Sequence, residues 1–416
     1  MALPKLKYKF SLLTNGIPVL THHTNTRGIQ IGVILSFGSM HEEPFLGSMH
    51  YYEHMAFKGT LHRTPLQING LAEILGAKLN AATGHDNIAF YINGLAQHTS
   101  RLFSLLADIV LNPTFPADEF EKERGVIIEE INAKLDDPEE IVGAAVDQLI
   151  YPNHPINRNI VGSVDSVQAI TRENLLAINR NHVGPPNLFI VAVGGSPHLR
   201  IIQLAQRLFG GCPTKSSLAL IGPDTGLSAE EKIVTIHHAD LNQAHLEIAF
   251  RAPNVHDNRA LILSIISHAL AQNTASRLWE RLREKDGMVY NINSLYGGIP
   301  CCGFFTIDTQ FSPQNLVYIQ DTIFQEIENI RCDGLSEVEL KMIKQGLANR
   351  YKMRTLDPLA VFEDLIDCHL YSRPYNLDNT FWGLDLGGVD NGKIIEAARE
   401  FLQRDLARVA ILQPAD

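Results

Sequence analysis

Two stretches of this chain, 220 positions apart, follow the same pattern. FPADEFEKERGVIIEEINAKLDDP (115–138) reads as an acidic amphipathic helix that stops at Asp137-Pro138. LSEVELKMIKQGLANRYKMRTLDP (335–358) reads the same way and stops at Asp357-Pro358. In that register Phe120 stands opposite Leu340, and Glu130 opposite Arg350. The halves also close alike. Helix Thr171–Asn181 precedes strand Asn187–Val193, and helix Gly392–Arg404 precedes strand Leu406–Leu412. A repeated supersecondary unit buries its apolar face against its own kind. The expectation is therefore an α+β chain of two homologous domains, related by internal duplication, each a mostly antiparallel sheet packed with helices. The stretch GGCPTKSSLALIGPDTGLSAEE, rich in Gly, Pro, Ser and Thr and without a period, marks a linker at 211–228. It separates a domain at 1–210 from one at 229–416. At 416 residues the chain can supply two real cores.

Within the first unit, an Asn15-Gly16 hairpin leads to a strand near Ile29–Phe37 and then to a helix bearing GSMHYYEHMAFKGT. Further helices are expected near Leu66–Leu75, Gln97–Val110 and Ala117–Leu135, with strand-like LNAATGHDNIAFYINGL between the first two. The second unit restarts with strands Lys232–His238 and Ala244–Phe250 and a long helix from Asn258. Its helix carries His268 alone, so a cluster of the first unit's kind occurs once.

Composition removes several classes. A net charge of −11, with 35 basic residues in no long cluster, argues against nucleic acid or an anionic membrane as the partner. The N-terminus lacks the apolar core of a signal peptide, and no run reaches the ~18 apolar residues of a membrane span. Five cysteines, odd in number and without CxxC spacing, suit a reduced compartment, and the expected location is cytoplasmic.

His50, Glu53 and His54 share one face of the motif helix, beside Met49, Ala56 and Phe57. Two imidazoles one turn apart can hold one metal ion, and a carboxylate beside them can act as a base. Zinc bound by three protein ligands lowers the pKa of its water to about 7. With 17 His and 24 Glu in the chain, HxxEH arises by composition alone about 0.04 times. Along Ala117–Leu135, Glu123 and Glu130 lie on one stripe, beside an expected buried edge of Ile127, Ile131 and Leu135.

HYYEHMAFKGT, followed 76 residues after His54 by Glu130 in ERGVIIEE, resembles the pitrilysin/insulysin family of inverted-motif zinc peptidases. The likeness is to the single-cassette branch that includes mitochondrial-processing-peptidase-like proteins, and it spans essentially the whole chain. It implies one zinc ion per chain, with His50, His54 and Glu130 as ligands and Glu53 as catalytic base. Glu123 would stand behind them and orient a ligand or the base. LNAATGHDNIAFYI resembles the family's edge strand, on which a peptide substrate adds as a further strand. Asn80 and Ala81 would grip that peptide, and Ala82 is smaller than the bulky residue often found next. His85 reads as a polar turn residue. ASRLWERLREKDGMVYNINS resembles the family's substrate-facing segment, which makes Arg283 and Tyr290 a pair that meets the attacked peptide.

In relatives of double length, four such domains close a chamber, with zinc in the first and the Arg/Tyr pair in the fourth. A chain of two domains then implies a homodimer whose sites are completed across subunits, with a heteromeric partner as the variant of that scheme. The implied function is an endopeptidase acting on short or unfolded peptides. Asp136, Asp137, Glu139 and Glu140 either favour basic peptides or form a solvated loop. The alternative from another class is a non-catalytic scaffold or partner subunit of a peptidase-like complex.

Overall fold

The computed structural model describes residues 8–42, 44–223, 230–239, 241–371, 380–381 and 384–415. Residues 1–7 of the expected opening strand and 224–228 of the expected linker lie outside the described residues. In chain order the first half runs β1 (Tyr8–Leu12), β2 (Pro18–His23), β3 (Gly28–Leu35), α1 (Ser48–Ala56) and α2 (Pro65–Ile74). It continues with β4 (Lys78–Thr83), β5 (Ile88–Leu95), α3 (Thr99–Leu111), α4 (Ala117–Leu135) and α5 (Pro138–Ile150). It closes with α6 (Val164–Ala169), α7 (Arg172–His182), β6 (Leu188–Gly194) and α8 (His198–Phe209). The second half runs β7 (Ile233–His238), β8 (Ala244–Ala252), α9 (Arg259–Leu270), β9 (Val289–Ile299), β10 (Cys302–Phe311) and α10 (Leu316–Asp333). Then come α11 (Glu337–Arg354), α12 (Pro358–Leu370), β11 (Thr380–Phe381), β12 (Leu384–Asp385), α13 (Asn391–Phe401) and β13 (Arg408–Pro414).

The duplication is visible in strand order. One sheet is ordered β1-β2-β6-β3-β5-β4 and the other β7-β13-β8-β10-β9. Without β1 the two orders are the same. Each sheet has one parallel pair, β2 with β6 and β13 with β7, and is otherwise antiparallel. Helices α4 and α11 begin 220 positions apart, and so do α5 and α12. Asp137 and Asp357 cap α5 and α12 alike, each carboxylate accepting the backbone N–H two residues on, with Pro at the first helical position. The expected single strand-like stretch before α3 is two strands, because Gly84–Asn87 closes a turn whose Gly84 N–H donates to the Asn87 carbonyl at 2.8 Å.

The halves exchange a helix. Val361, Phe362, Leu365 and Ile366 of α12 pack on the first sheet, against Leu20, Ile34, Phe189 and Val191. Val142, Val146 and Ile150 of α5 pack on the second sheet, against Ala249, Ala410 and Leu412. Both helices follow the Asp-Pro stops, and of the two only the first was noticed in the sequence, as an acidic run. Gly32 of β3 makes room for this docking: a Cβ there would lie 2.4 Å from the Phe362 ring. Central strands such as β6, whose residues are all buried, are covered on both faces, which explains the unbroken LFIVAV run.

Candidate metal and catalytic site

Helix α1 is held by the residues between its polar ones. Tyr51 is fully buried, stacks on Phe120 with centroids 4.6 Å apart, and donates its hydroxyl to the Phe120 carbonyl. Tyr52 is buried edge-on against Phe90 and Phe115 and accepts from Asn179 at 2.9 Å. Met49 and Ala56 are buried as expected, and Phe57 is half-buried. The start of α1 is pinned too. Glu42 accepts the Gly47 and Met49 amides at 2.7 and 2.6 Å, serving the free N–H groups of the first turn. Gly47 has φ +85° and sits so close to the Val161 carbonyl that a Cβ would fall 2.6 Å from its oxygen.

With the tyrosines anchored, His50 and His54 turn toward α4. The His50 Nε2 is 3.6 Å from Glu130 Oε1, and the His54 Nε2 is 3.5 Å from Glu130 Oε2. One donor atom from each of His50, His54 and Glu130 lies within 4.8 Å of the other two. Glu123 is buried and reaches the opposite nitrogen of His54, with Oε1 3.0 Å from Nδ1, while Lys58 Nζ sits 2.6 Å from Oε2. A carboxylate there fixes the tautomer with the proton on Nδ1 and leaves the Nε2 lone pair aimed at Glu130.

The electrostatics suit a cation. Burial, then the neighbouring His54 and Lys134, lowers His50 to about 4, so its imidazole is neutral at neutral pH. Burial works against ionisation of Glu123, but the hydrogen bonds from His54 and Lys58 outweigh it and hold its carboxyl below the usual range. Two imidazoles and a carboxylate, backed by an ionised carboxylate, form a donor set that zinc takes. Glu53 stands apart from the three donors. Thr83 of β4 donates to its Oε2 at 2.5 Å, and burial raises its pKa.

His50, Glu53 and Glu130 open onto a cavity of about 800 Å³. Its wall continues through Thr83 and His85, along α5 at Glu139, Gly143 and Asp147, and over the 157–161 segment. Asn80 and Ala81 lie on β4, an edge strand of the first sheet, paired with Tyr91 and Phe90. Asn80 is exposed and donates to the Tyr91 hydroxyl at 3.3 Å, whereas Ala81 is buried. His85 is a turn residue, its Nδ1 3.2 Å from Ser39 Oγ.

Arg283 and Tyr290 are brought to each other and not to this cavity. The Arg283 guanidinium lies between the Trp279 and Tyr290 rings, 5.0 and 4.8 Å from their centroids, and bonds the Tyr290 carbonyl. Tyr290 is 72% exposed on β9, an edge strand of the second sheet. In α4, Phe120, Glu123, Ile127 and Ile131 form the buried stripe, but Leu135 is 59% exposed, against expectation. The last turn overhangs the core, and its Lys134 pairs with Glu140 at 2.7 Å.

Thr83, Lys58 and Glu42 were missed in the sequence. Thr83 sits in the quoted edge-strand stretch, and Lys58 lies four residues past His54. Neither has a signal of its own until the strand and α4 are placed. The second half shows what becomes of the same geometry without a metal set. His268 on α9 is buried, its Nδ1 is 2.9 Å from the Ser264 carbonyl, and its charged neighbour is Arg350, the counterpart of Glu130. A cation there leaves no place for another.

Comparison with known proteins agrees with this geometry. The family model described as "Insulinase (Peptidase family M16)" matches residues 18–164, and "Peptidase M16 inactive domain" matches residues 169–347. Relatives include "Uncharacterized zinc protease ML0855" of Mycobacterium leprae, 27% identical over 80% of this chain and 76% of that protein. "Uncharacterized zinc protease YmxG" of Bacillus subtilis is 28% identical over 80% of this chain and 81% of its own. A protease from Helicobacter pylori shares the fold at a TM-score of 0.90 and 19% identity, covering 98% of this chain and 100% of that one. A Pseudomonas fluorescens structure described as a peptidase M16 inactive domain does so at 0.88 and 20%, covering 99% and 98%. With both family models matched in order, and the doubled fold and the paired-histidine helix where they are, this chain belongs to the M16 (insulinase) family of peptidases.

Proposed function

We propose that the chain is a zinc-dependent endopeptidase that cleaves short or unfolded peptides inside a chamber. The observation that carries this reading is the convergence of the His50, His54 and Glu130 donors beside a separately held Glu53. His50, His54 and Glu130 would hold one zinc ion, which when bound supplies Lewis acidity toward a water molecule and the peptide carbonyl. Glu53, its basicity raised by burial and its orientation set by Thr83, takes the proton of the attacking water and passes it to the leaving amine. Glu123 and Lys58 keep the His54 ring turned for ligation.

An extended peptide would add to the open edge of β4, beside Asn80 and Ala81, by main-chain hydrogen bonds that tolerate many side chains. Asp137, Glu139, Glu140 and Asp147 line the cavity against Lys134 and Arg158, which favours cationic peptides. Arg283 and Tyr290 would reach the carbonyl from the partner subunit of a homodimer, or from a heteromeric partner of the same fold. Thiols without a disulfide, and no helix among the described residues long and apolar enough to cross a membrane, suit a reducing compartment such as the cytoplasm.

Purified chain should hold about one zinc that depends on His50 and His54, the stoichiometry of one three-ligand catalytic site, and should cleave unstructured peptides. Glu53→Gln should lower kcat by about 10²–10⁴-fold while zinc content is kept. Normal cleavage by that variant refutes the assignment of the base. Zinc-loaded wild-type chain that cleaves nothing would favour a scaffold subunit instead.

A further inference from the structure

Away from α1 and α4, the fold gathers a second set of donors, and these are soft. His154 follows α5 in the first half, while Cys301 and Cys302 sit at the tip joining β9 to β10 in the second. All three are buried, and one donor atom from each lies within 4.8 Å of the others. The two Sγ atoms are 3.8 Å apart, and no disulfide joins them. Two thiolates each about 2.3 Å from a tetrahedral centre stand at very nearly that separation.

The imidazole is held by two backbone contacts. The Ile156 N–H donates to His154 Nδ1 at 3.2 Å, which places the ring proton on Nε2. Nε2 in turn faces the Gly222 carbonyl at 3.3 Å. A ligating histidine characteristically rests its other nitrogen on a carbonyl in this way, and an ion at Nδ1 would take the lone pair that Ile156 N–H now uses. Met40, Tyr151, Ile156, Ile221 and Ile299 pack around the group and make its surroundings apolar. Two sulfurs and an imidazole with no carboxylate among them select soft ions over magnesium or calcium.

We infer that His154, Cys301 and Cys302 form a site for one thiophilic d10 cation, of the Cu(I) or Zn(II) kind, that ties the two halves of the chain together. Binding replaces the two thiol protons by the ion, which are released to solvent. The ligands come from opposite sides of the seam that α5 crosses, and the Gly222 carbonyl holds the ring from the connecting segment. No residue is shared with the His50, His54 and Glu130 set, and the inference stands or falls separately from peptidase activity.

Cd(II) is the probe, because thiolate-to-cadmium charge-transfer absorption reports sulfur ligands alone and the α1–α4 site has none. Titration of the reduced, full-length chain should give a band whose final amplitude is that of about one sulfur-bound Cd(II) per chain, the stoichiometry of a single thiolate site, with a rise in Tm. Cys301→Ser with Cys302→Ser should abolish the band and cut the Tm rise to what Cd(II) at the α1–α4 site supplies, leaving Cys212, Cys332 and Cys368 as controls for stray thiol binding. His154→Gln should weaken Cd(II) binding at least about tenfold, the loss expected when one ligand of three is removed. Metal-free Tm values verify that each variant is folded. A band that survives loss of both cysteines, or is missing from the parent, overturns the site. Should the serine pair fail to fold, unchanged affinity in His154→Gln overturns it equally.

Discussion

A histidine ligates only when neutral, and a base works only when it is not itself ligated. At the residue scale these two demands divide the α1 face. Burial keeps His50 neutral, Glu123 turns His54, and Thr83 draws Glu53 toward β4 and away from the donors. Glu123→Gln tests the turning contact. The amide keeps the shape but loses the charge that balances Lys58, 2.6 Å away, so Lys58 stands uncompensated beside the cation. Zinc affinity, measured by chelator competition, should fall about 10–100-fold, with kcat at saturating zinc changed far less. Equal affinity in variant and wild type would place Glu123 outside the site. The polar set on α1 was legible because i, i+3 and i+4 spacing survives without a structure, and Glu130 entered through resemblance. Thr83 and Lys58 were not legible. A lone threonine or lysine acquires a role only from what the fold places against it.

Elements show the same division. Helix α4 was read at its bounds, because a long apolar stripe between Pro116 and the Asp137-Pro138 stop is a local property. The exchange of α5 and α12 was not, since the apolar faces of both helices bury against sheets about a hundred residues or more away in sequence. The acidic start of α5 was therefore read only as a patch for basic peptides or a solvated loop. Its docking leaves a mark that pH can read. Glu247 of β8 lies against α5, its Oε2 3.6 Å from where a side chain at Gly143 would begin. Burial, then Asp147 and Asp308, raises Glu247 to about 8, and burial raises Asp147 to about 6. Glu139 and His245 are the other titratable groups on this seam. A carboxyl raised on folding holds its proton in the folded chain while the unfolded chain has lost it. Its stabilising protonated form is fully present below the ordinary carboxylate range and is lost as pH rises through about 8. Glu247→Gln removes that titration. The variant should match wild type near pH 4 and gain on the order of 2 kcal/mol above pH 8, visible as a Tm higher by several degrees. A Tm difference independent of pH would mean that folding leaves the Glu247 pKa unshifted.

For the whole molecule, the proposed function requires Arg283 and Tyr290 to reach a peptide held at α1. Within one chain they stand outside the cavity lining, with Tyr290 turned to solvent on an edge strand. A two-fold dimer that brings β9 of one protomer to the zinc face of its partner would complete two equivalent sites. Mixing two inactive chains separates this arrangement from a site complete within one chain. Tyr290→Phe keeps the base but lacks the hydroxyl that donates to the forming oxyanion, and Glu53→Gln keeps the hydroxyl but lacks the base. In a mixed dimer, the Tyr290→Phe chain supplies Glu53 and the Glu53→Gln chain supplies Tyr290, so one of two sites is intact. Random exchange at equal amounts makes half the dimers mixed, and about a quarter of wild-type activity should return. A site complete within each chain predicts only the average of the two parents. Subunit exchange has to be verified independently, by native mass spectrometry of size-tagged chains. With exchange demonstrated, activity that stays at the parental average excludes the shared site.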